Sequence, residues 1–121
     1  MKMGCRVRIV LAFHLNDARM GSILEYKPGD ARLCKRDIMV TVCGTDYIRR
    51  VDIMKNNGLL KRVCPKDDHA EIAFPEQLDT APATCDWYYV RVFQADGNAA
   101  WSSPIWVGPE GVTAPSRPLG E

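Results

Sequence analysis

Trp87-Tyr88-Tyr89-Val90-Arg91-Val92-Phe93-Gln94 is the stretch that decides the fold. Aromatic and β-branched side chains fill it, and such residues suit the pleated surface of a strand. Asp96-Gly97 then turns the chain, and residues 99–107 return beside it. Pro104 lies within the return and has no backbone N–H, which confines that strand to an edge or a bulge. The tail from Gly108 carries Pro109, Gly111, Pro115, Pro118 and Gly120 and reads as a disordered linker.

The same strand grammar extends upstream. Segment 5–14 alternates, with Cys5, Val7, Ile9, Leu11 and Phe13 on one face and Arg6, Arg8, Val10, Ala12 and His14 on the other. That period of two marks a half-buried strand. Asn16-Asp17 supplies a turn, and a second strand from Met20 to Tyr26 ends at Lys27-Pro28-Gly29-Asp30. Ile38, Val40 and Val42 form the apolar face of a third, which stops at Gly44-Thr45-Asp46. The fourth runs from Tyr47 to Lys55 with Val51 and Ile53 inward. Asn57-Gly58 tolerates the two positive φ angles of a type I′ turn, so Leu59 to Val63 returns as a hairpin. Ala70, Ile72 and Phe74 give one more inward face, closed by Pro75.

Seven or eight short strands with no helical periodicity predict an all-β fold. The expected form is a two-layer antiparallel sandwich, which the hairpin resemblance given below makes immunoglobulin- or fibronectin type III-like. Its core should hold Val40, Val42, Val51, Ile53, Ile72, Tyr88, Val90 and Val92. A chain of 121 residues suits one such domain, over 1–107, followed by the Pro/Gly-rich tail 108–121.

Composition narrows the partners. Sixteen basic residues nearly cancel fifteen acidic ones, leaving +1, whereas nucleic-acid binders carry a strong basic excess. No apolar run approaches the roughly eighteen residues that a membrane span requires. Arg6 and Arg8 interrupt what would be the apolar stretch of an export signal. Five cysteines (Cys5, Cys34, Cys43, Cys64 and Cys85) are odd in number, irregular in spacing and contain no C-x-x-C. Free thiols fit that pattern best, which favours the cytoplasm over export.

No group of residues makes a convincing active site. His14 and His69 are the only histidines and lie far apart in sequence. His69 beside Asp67-Asp68 is the best metal grouping, but Pro65-Lys66-Asp67-Asp68 reads more simply as a polar turn before a strand. Cys64-Pro65 has no positioned base and reads as an ordinary thiol. Gly44-Thr45-Asp46 and Lys55-Asn56-Asn57-Gly58 match neither a Walker nor a dinucleotide pattern. Arg49-Arg50 and Lys61-Arg62 are most simply solvent-facing strand positions, with an anionic-ligand patch as the secondary reading. Trp87, Trp101 and Trp106 are the candidate binding or interface surface. They suit sugar stacking, and more simply the packing of the sandwich or its junction with a neighbour. No catalytic residue, metal or cofactor is assigned.

Two resemblances follow from the placed strands. Tyr88-x-Val90-x-Val92, an Asp-Gly turn and a Ser-Ser-Pro strand resemble the last hairpin of immunoglobulin-like and fibronectin type III modules. There the tyrosine is a corner residue whose hydroxyl ties back to backbone. The second resemblance is carried by segments in order. Arg19-Met20-Gly21-Ser22 comes first, then Ile38-Met39-Val40-Thr41-Val42-Cys43-Gly44-Thr45, then Ile48-Arg49-Arg50-Val51-Asp52-Ile53-Met54-Lys55-Asn56-Asn57-Gly58. Asp86-Trp87-Tyr88-Tyr89-Val90-Arg91-Val92 and Ala100-Trp101-Ser102-Ser103-Pro104-Ile105-Trp106-Val107 complete the series.

Together, over residues 5–107, these segments look like the C-terminal β-domain of a PHP-type metallohydrolase family (the polymerase and histidinol phosphatase superfamily). The metal-binding part of that family would precede Cys5, so no catalytic residue carries over. What the resemblance implies is a non-catalytic accessory domain that packs on, or positions substrate for, a catalytic module. The alternative is an independent fibronectin type III-like module binding carbohydrate or a protein partner. Under the first reading, Val10, Ala12 and the Trp101–Trp106 strand should leave apolar surface, with weak self-association when the chain stands alone.

If the thiols are free, alkylation of the unfolded chain without reductant labels five cysteines. An intact mass two protons short in fresh protein would contradict this.

Overall fold

The computed structural model describes residues 8–111, and among these it contains ten strands and one short 3₁₀ turn at Ala31–Leu33. Strands β1 (Val10–Leu15), β2 (Ala18–Arg19), β4 (Lys35–Cys43) and β7 (His69–Gln77) form one sheet in the order β2-β1-β4-β7. The second sheet takes β3 (Ile23–Tyr26), β5 (Ile48–Lys55), β6 (Gly58–Val63), β8 (Asp86–Gln94) and β10 (Ile105–Pro109). Its order is β3-β10-β8-β5-β6, with β9 (Ala99–Trp101) pairing β8 beyond β10. The chain is a two-layer β-sandwich, as the alternation predicts.

Ten strands form where seven or eight were expected, because Ala18–Arg19 adds a short strand before the expected second one and the strand expected over 99–107 is broken. Met20 and Gly21 form a turn between β2 and β3, and Gly21 has a φ of +93° that suits glycine. Ser102-Ser103-Pro104 separates β9 from β10. At that break the Ser102 hydroxyl accepts the Val90 N–H at 2.8 Å, while the Ser102 N–H donates to the Val90 carbonyl at 2.9 Å. The sandwich is also not wholly antiparallel, since β3 lies parallel to β10, with Trp106 opposite Ile23 and Pro109 opposite Tyr26. This pair covers β10, so β10 is an interior strand and Pro104 sits just before it rather than on an edge.

Gly108 and Pro109, which the sequence reading places at the start of the tail, belong to β10. The rest of the expected tail, including Pro115, Pro118 and Gly120, lies outside the described residues, as do Cys5, Arg6 and Val7 of the first expected strand. Pro75 does not end its strand either. It stands within β7, an edge strand, opposite Asp37, and β7 continues to Gln77.

Alternation sets the core. Val40, Val42, Val51, Ile53, Tyr88, Val90 and Val92 are completely buried and Ile72 nearly so, so all eight expected core residues face inward. Phe13 and Ile72 flank Val40 across the first sheet, and Val92 and Val90 oppose Val51 and Ile53 in the second. Two tight turns help fix the register. Asn16 and Asp17 both have positive φ, and so do Asn56 and Asn57. The second turn is therefore centred one residue earlier than Asn57-Gly58, and Gly58 instead pairs with Lys55 as the first strand residue. Asn56 holds this register: its amide oxygen accepts the Trp87 N–H at 3.0 Å, and its own N–H donates to the Trp87 carbonyl at 2.8 Å.

The same alternation carries charge inward at one end. Arg36 precedes Ile38, Val40 and Val42 on the inner face of β4, and Glu76 follows the inner row of β7, directly opposite Arg36. Asp86 begins the inner row of β8, and Lys55 ends that of β5. The Arg36 guanidinium is completely buried. It donates to Asp86 at 2.7 Å, to the Tyr88 hydroxyl at 2.6 Å and to the Leu33 carbonyl at 3.0 Å.

The Tyr88 hydroxyl donates in turn to Glu76, which also holds Lys55 at 2.7 Å. The Asn56 amide closes the far side of Asp86 at 2.8 Å. Tyr88 thus ties across the two sheets through side chains, not back to backbone as the corner resemblance implied. Burial and the bond to Glu76 push its hydroxyl pKa upward, so it stays a neutral donor. Cys34, Cys43, Cys64 and Cys85 are all free thiols.

Gly108 is the tightest backbone approach in β10. A Cβ there would lie 2.9 Å from the Cys85 Cα and 3.1 Å from its Cβ. Gly108→Ala should therefore force the Cys85 backbone away and lower stability by about 1–3 kcal/mol. An unchanged urea midpoint would contradict that close packing.

Candidate functional site

The outer face of the second sheet gathers the chain's most unusual surface chemistry. On β8 the residues between the core positions (Trp87, Tyr89, Arg91 and Phe93) point outward, and cross-strand pairing gives each its neighbours. Trp106 lies opposite Trp87, Met54 opposite Tyr89, Asp52 opposite Arg91, and Trp101 opposite Arg91 on its other side. Two aromatic groups result. Trp87 stacks on Tyr89 with centroids 5.4 Å apart and planes 11° apart, and Trp106 joins Trp87 at 5.8 Å. Trp101 packs edge-on against Phe93, also at 5.8 Å.

The three candidate tryptophans therefore do not form one platform. Trp87 and Trp106 share a cluster in which Trp106 is 6% exposed, whereas Trp101 stands apart and 59% exposed. The rings of Trp87 and Tyr89 cover each other's faces, which takes those faces out of reach of a sugar ring.

Between the two aromatic groups lies a cluster that sequence reading did not anticipate. Asp52 projects to the outer face of β5, between inward Val51 and Ile53, yet it is completely buried. Three guanidiniums cover it. Arg62 donates to both carboxylate oxygens at 2.7 and 3.2 Å, Arg91 at 3.0 Å and Arg50 at 3.2 Å. Arg49, Arg50 and Arg62 reach solvent as expected, but Arg50 and Arg62 also hold Asp52. Phe93 supports the group from one side, with the Arg50 guanidinium 4.2 Å from its ring centre. Burial raises the Asp52 pKa, but the hydrogen bonds from Arg62, Arg91 and Arg50 outweigh it and hold the carboxyl below its ordinary value. Only the observed register brings the group together, since Asp52, Arg62 and Arg91 occupy one cross-strand row.

Asp67, Asp68 and His69 bring their ligand atoms within 4.8 Å of one another, and the His69 ring is largely exposed. Their backbone serves the fold, since Asp67 and Asp68 carbonyls accept the N–H groups of Ile48 and Gly44 at 2.7 Å each. That is the polar turn expected before β7. His14 does not meet His69. It lies opposite Met39 while His69 lies opposite Cys43, about 13 Å further along β4 and on the other side of that strand.

Cys64 is an exposed thiol. Lys61 leans over the Phe74 ring at 5.0 Å. His14 instead borders a shallow groove of about 690 Å³ on the outer face of the first sheet, with Asp37, Met39, Phe74 and Pro75. On that face Val10 of the first strand and Met39 of β4 are about half exposed, while Ala12, also expected there, is only partly exposed. Among the described residues, no helix is long and apolar enough to cross a membrane.

Comparison with known proteins gives no matching family profile and no matching solved structure. The chain is 33% identical over 109 residues to an uncharacterized protein of Chlamydia pneumoniae. It is 34% identical over 111 residues to one of Chlamydia muridarum and 33% identical over 111 residues to one of Chlamydia trachomatis. Each match covers 83% of this chain but 18% of the relative, so the chain spans less than a fifth of these proteins' length.

The Asp52 cluster has a definite acid signature. Its carboxyl pKa is lowered in the fold, so its contribution is fully present above the unfolded value near 4 and is lost as pH falls below it. Asp52→Asn should be less stable than the parent chain at pH 7, where three arginines lose their anion. That gap should narrow steadily below about pH 4. A gap independent of pH would contradict the cluster as described.

Proposed function

We propose that this sandwich is a non-catalytic accessory module of a larger assembly, packing against a catalytic neighbour and helping to position its substrate. The observation that carries the reading is the pattern of similarity. Most of the chain recurs as one continuous segment inside three much longer proteins, as a structural module does. The chain's own chemistry supports the reading. Its inward charges join the two sheets, and its outer faces present Val10, Met39, Trp101, Ile23 and Leu59, each about half exposed or more. They are spread over both outer faces, with Ile23 and Leu59 on opposite edge strands of the second sheet, and so offer scattered apolar contacts rather than one patch.

The companion we name is a PHP-type metallohydrolase module, on the resemblance of the ordered segments alone. We likewise read the sandwich as immunoglobulin- or fibronectin type III-like from the Tyr88-x-Val90-x-Val92 hairpin. The side-chain partners of Tyr88 and the parallel β3–β10 pair are its departures from that pattern. The exposed indole of Trp101 favours a second reading, an independent module that binds a carbohydrate or protein partner. A single exposed ring is a small platform for a sugar, which places this reading second.

Gel filtration of the native polypeptide from its source cells, followed with an antibody to this segment, separates the readings. The accessory reading expects the segment in a species well above 13.6 kDa, either within a longer chain or bound in fixed ratio to a companion. A free monomer at that mass would contradict it.

A further inference from the structure

We propose that Arg50, Arg62 and Arg91 form a docking site for a carboxylate-bearing segment of the neighbouring module, seated beside Trp101. This rests on the accessory reading above and names the surface and the chemistry of the contact. Three guanidiniums against one carboxylate leave the cluster with two uncompensated positive charges. Asp52 is the only acid paired with any of the three among the described residues. Its Oδ2 already accepts from all three arginines, so it has little capacity left.

The unused donors point to a second anion. Arg50 uses only its Nε, Arg62 keeps one terminal nitrogen free, and Arg91 uses only one of its terminal nitrogens. The Arg91 Nε is buried without any partner, which is costly for a charged donor. The guanidiniums are also pre-positioned, because Asp52 fixes one end of each and Phe93 carries the ring face under Arg50. Side chains already held in place lose less freedom on binding. Arg62 remains 46% exposed, Arg50 38% and Arg91 28%, so their free terminal nitrogens are within reach of an incoming group, whereas the buried Arg91 Nε is not.

The occupant is a protein carboxylate. A guanidinium fork matches a carboxylate in two parallel hydrogen bonds. Nucleic-acid phosphate is the poorer candidate, since the whole chain carries only +1. Segments similar to this chain lie within longer proteins, which makes a protein neighbour the occupant the proposal takes. Arginine and tryptophan are also the residues that dominate protein contacts when they lie together at a patch centre. Here Trp101 lies directly across the β8–β9 pair from Arg91.

The test uses the 121-residue chain and a capped peptide of alternating glutamate and leucine, with its glutamine counterpart as control. Titration is followed by the Nε–H resonances of the arginines and by Trp101 fluorescence. The glutamate peptide should shift the Arg50, Arg62 and Arg91 signals and bind at least about tenfold more tightly than the glutamine one. Arg62→Gln should weaken it about tenfold, and raising salt from about 0.05 to 0.5 M should weaken it too. Lys35→Gln, on the other sheet, should change nothing. Arg91→Gln is read only if its amide spectrum stays dispersed; Arg62→Gln, at the more exposed position, carries the test otherwise.

Equal binding of the two peptides, or shifts confined to other residues, would overturn the docking site. The accessory reading would survive that result if the native species is large, and would fail separately if the native species is a free monomer.

Discussion

Arg36 enters the sandwich because it continues an inward row. Every second residue of β4 faces the other sheet, and the row Arg36, Ile38, Val40, Val42 starts with a charge where the apolar residues begin. Glu76 ends the row of β7, Asp86 starts that of β8 and Lys55 ends that of β5. The strands run in alternating directions, so all four charges arrive at the same end. Two cations meet two anions there, and Tyr88 bridges them. A buried ion pair of this kind gains little over a well-packed apolar core, because both partners lose their water. What it supplies is alignment. A one-residue slip in any of these strands would turn its charge to solvent and leave a buried partner unpaired.

The outer face of the second sheet follows from that alignment. Once Tyr88, Val90 and Val92 point inward, Trp87, Tyr89, Arg91 and Phe93 must point out. The registers of β5 and β10 then decide what they meet. Asp52 lands opposite Arg91 and Arg62, while Trp106 lands opposite Trp87. The aromatic residues of one end cover one another, and the arginines of the middle converge on a carboxylate too small to satisfy them. The inward charges set the register on which this outer arrangement depends.

Much of this was legible in the sequence. The period of two placed every residue of the expected core, and the asparagine-rich turns marked two hairpins. The errors share a physical cause. Asn56-Asn57 was mistaken for Asn57-Gly58 because asparagine accepts positive φ well enough to fill both turn positions, and only the bonds from Asn56 to Trp87 choose between them. The single strand expected over 99–107 broke because Ser102 lends its hydroxyl to Val90 where the strands diverge. The parallel placement of β3 is a long-range choice that no local pattern encodes. The Asp52 cluster was missed because its members come from three strands. Read singly, Arg50, Arg62 and Arg91 are ordinary surface residues.

The central claim is that the buried Arg36–Asp86 pair holds the two sheets in register, and a double-mutant cycle measures it directly. Urea unfolding of Arg36→Met, Asp86→Asn and the double variant gives the coupling between the two groups. The account predicts that each single variant loses about 3–5 kcal/mol by stranding a buried polar partner, while the double variant loses much less than the sum. Additive losses, agreeing within about 0.5 kcal/mol, would show that the two groups act independently and that the sheets are aligned by something else.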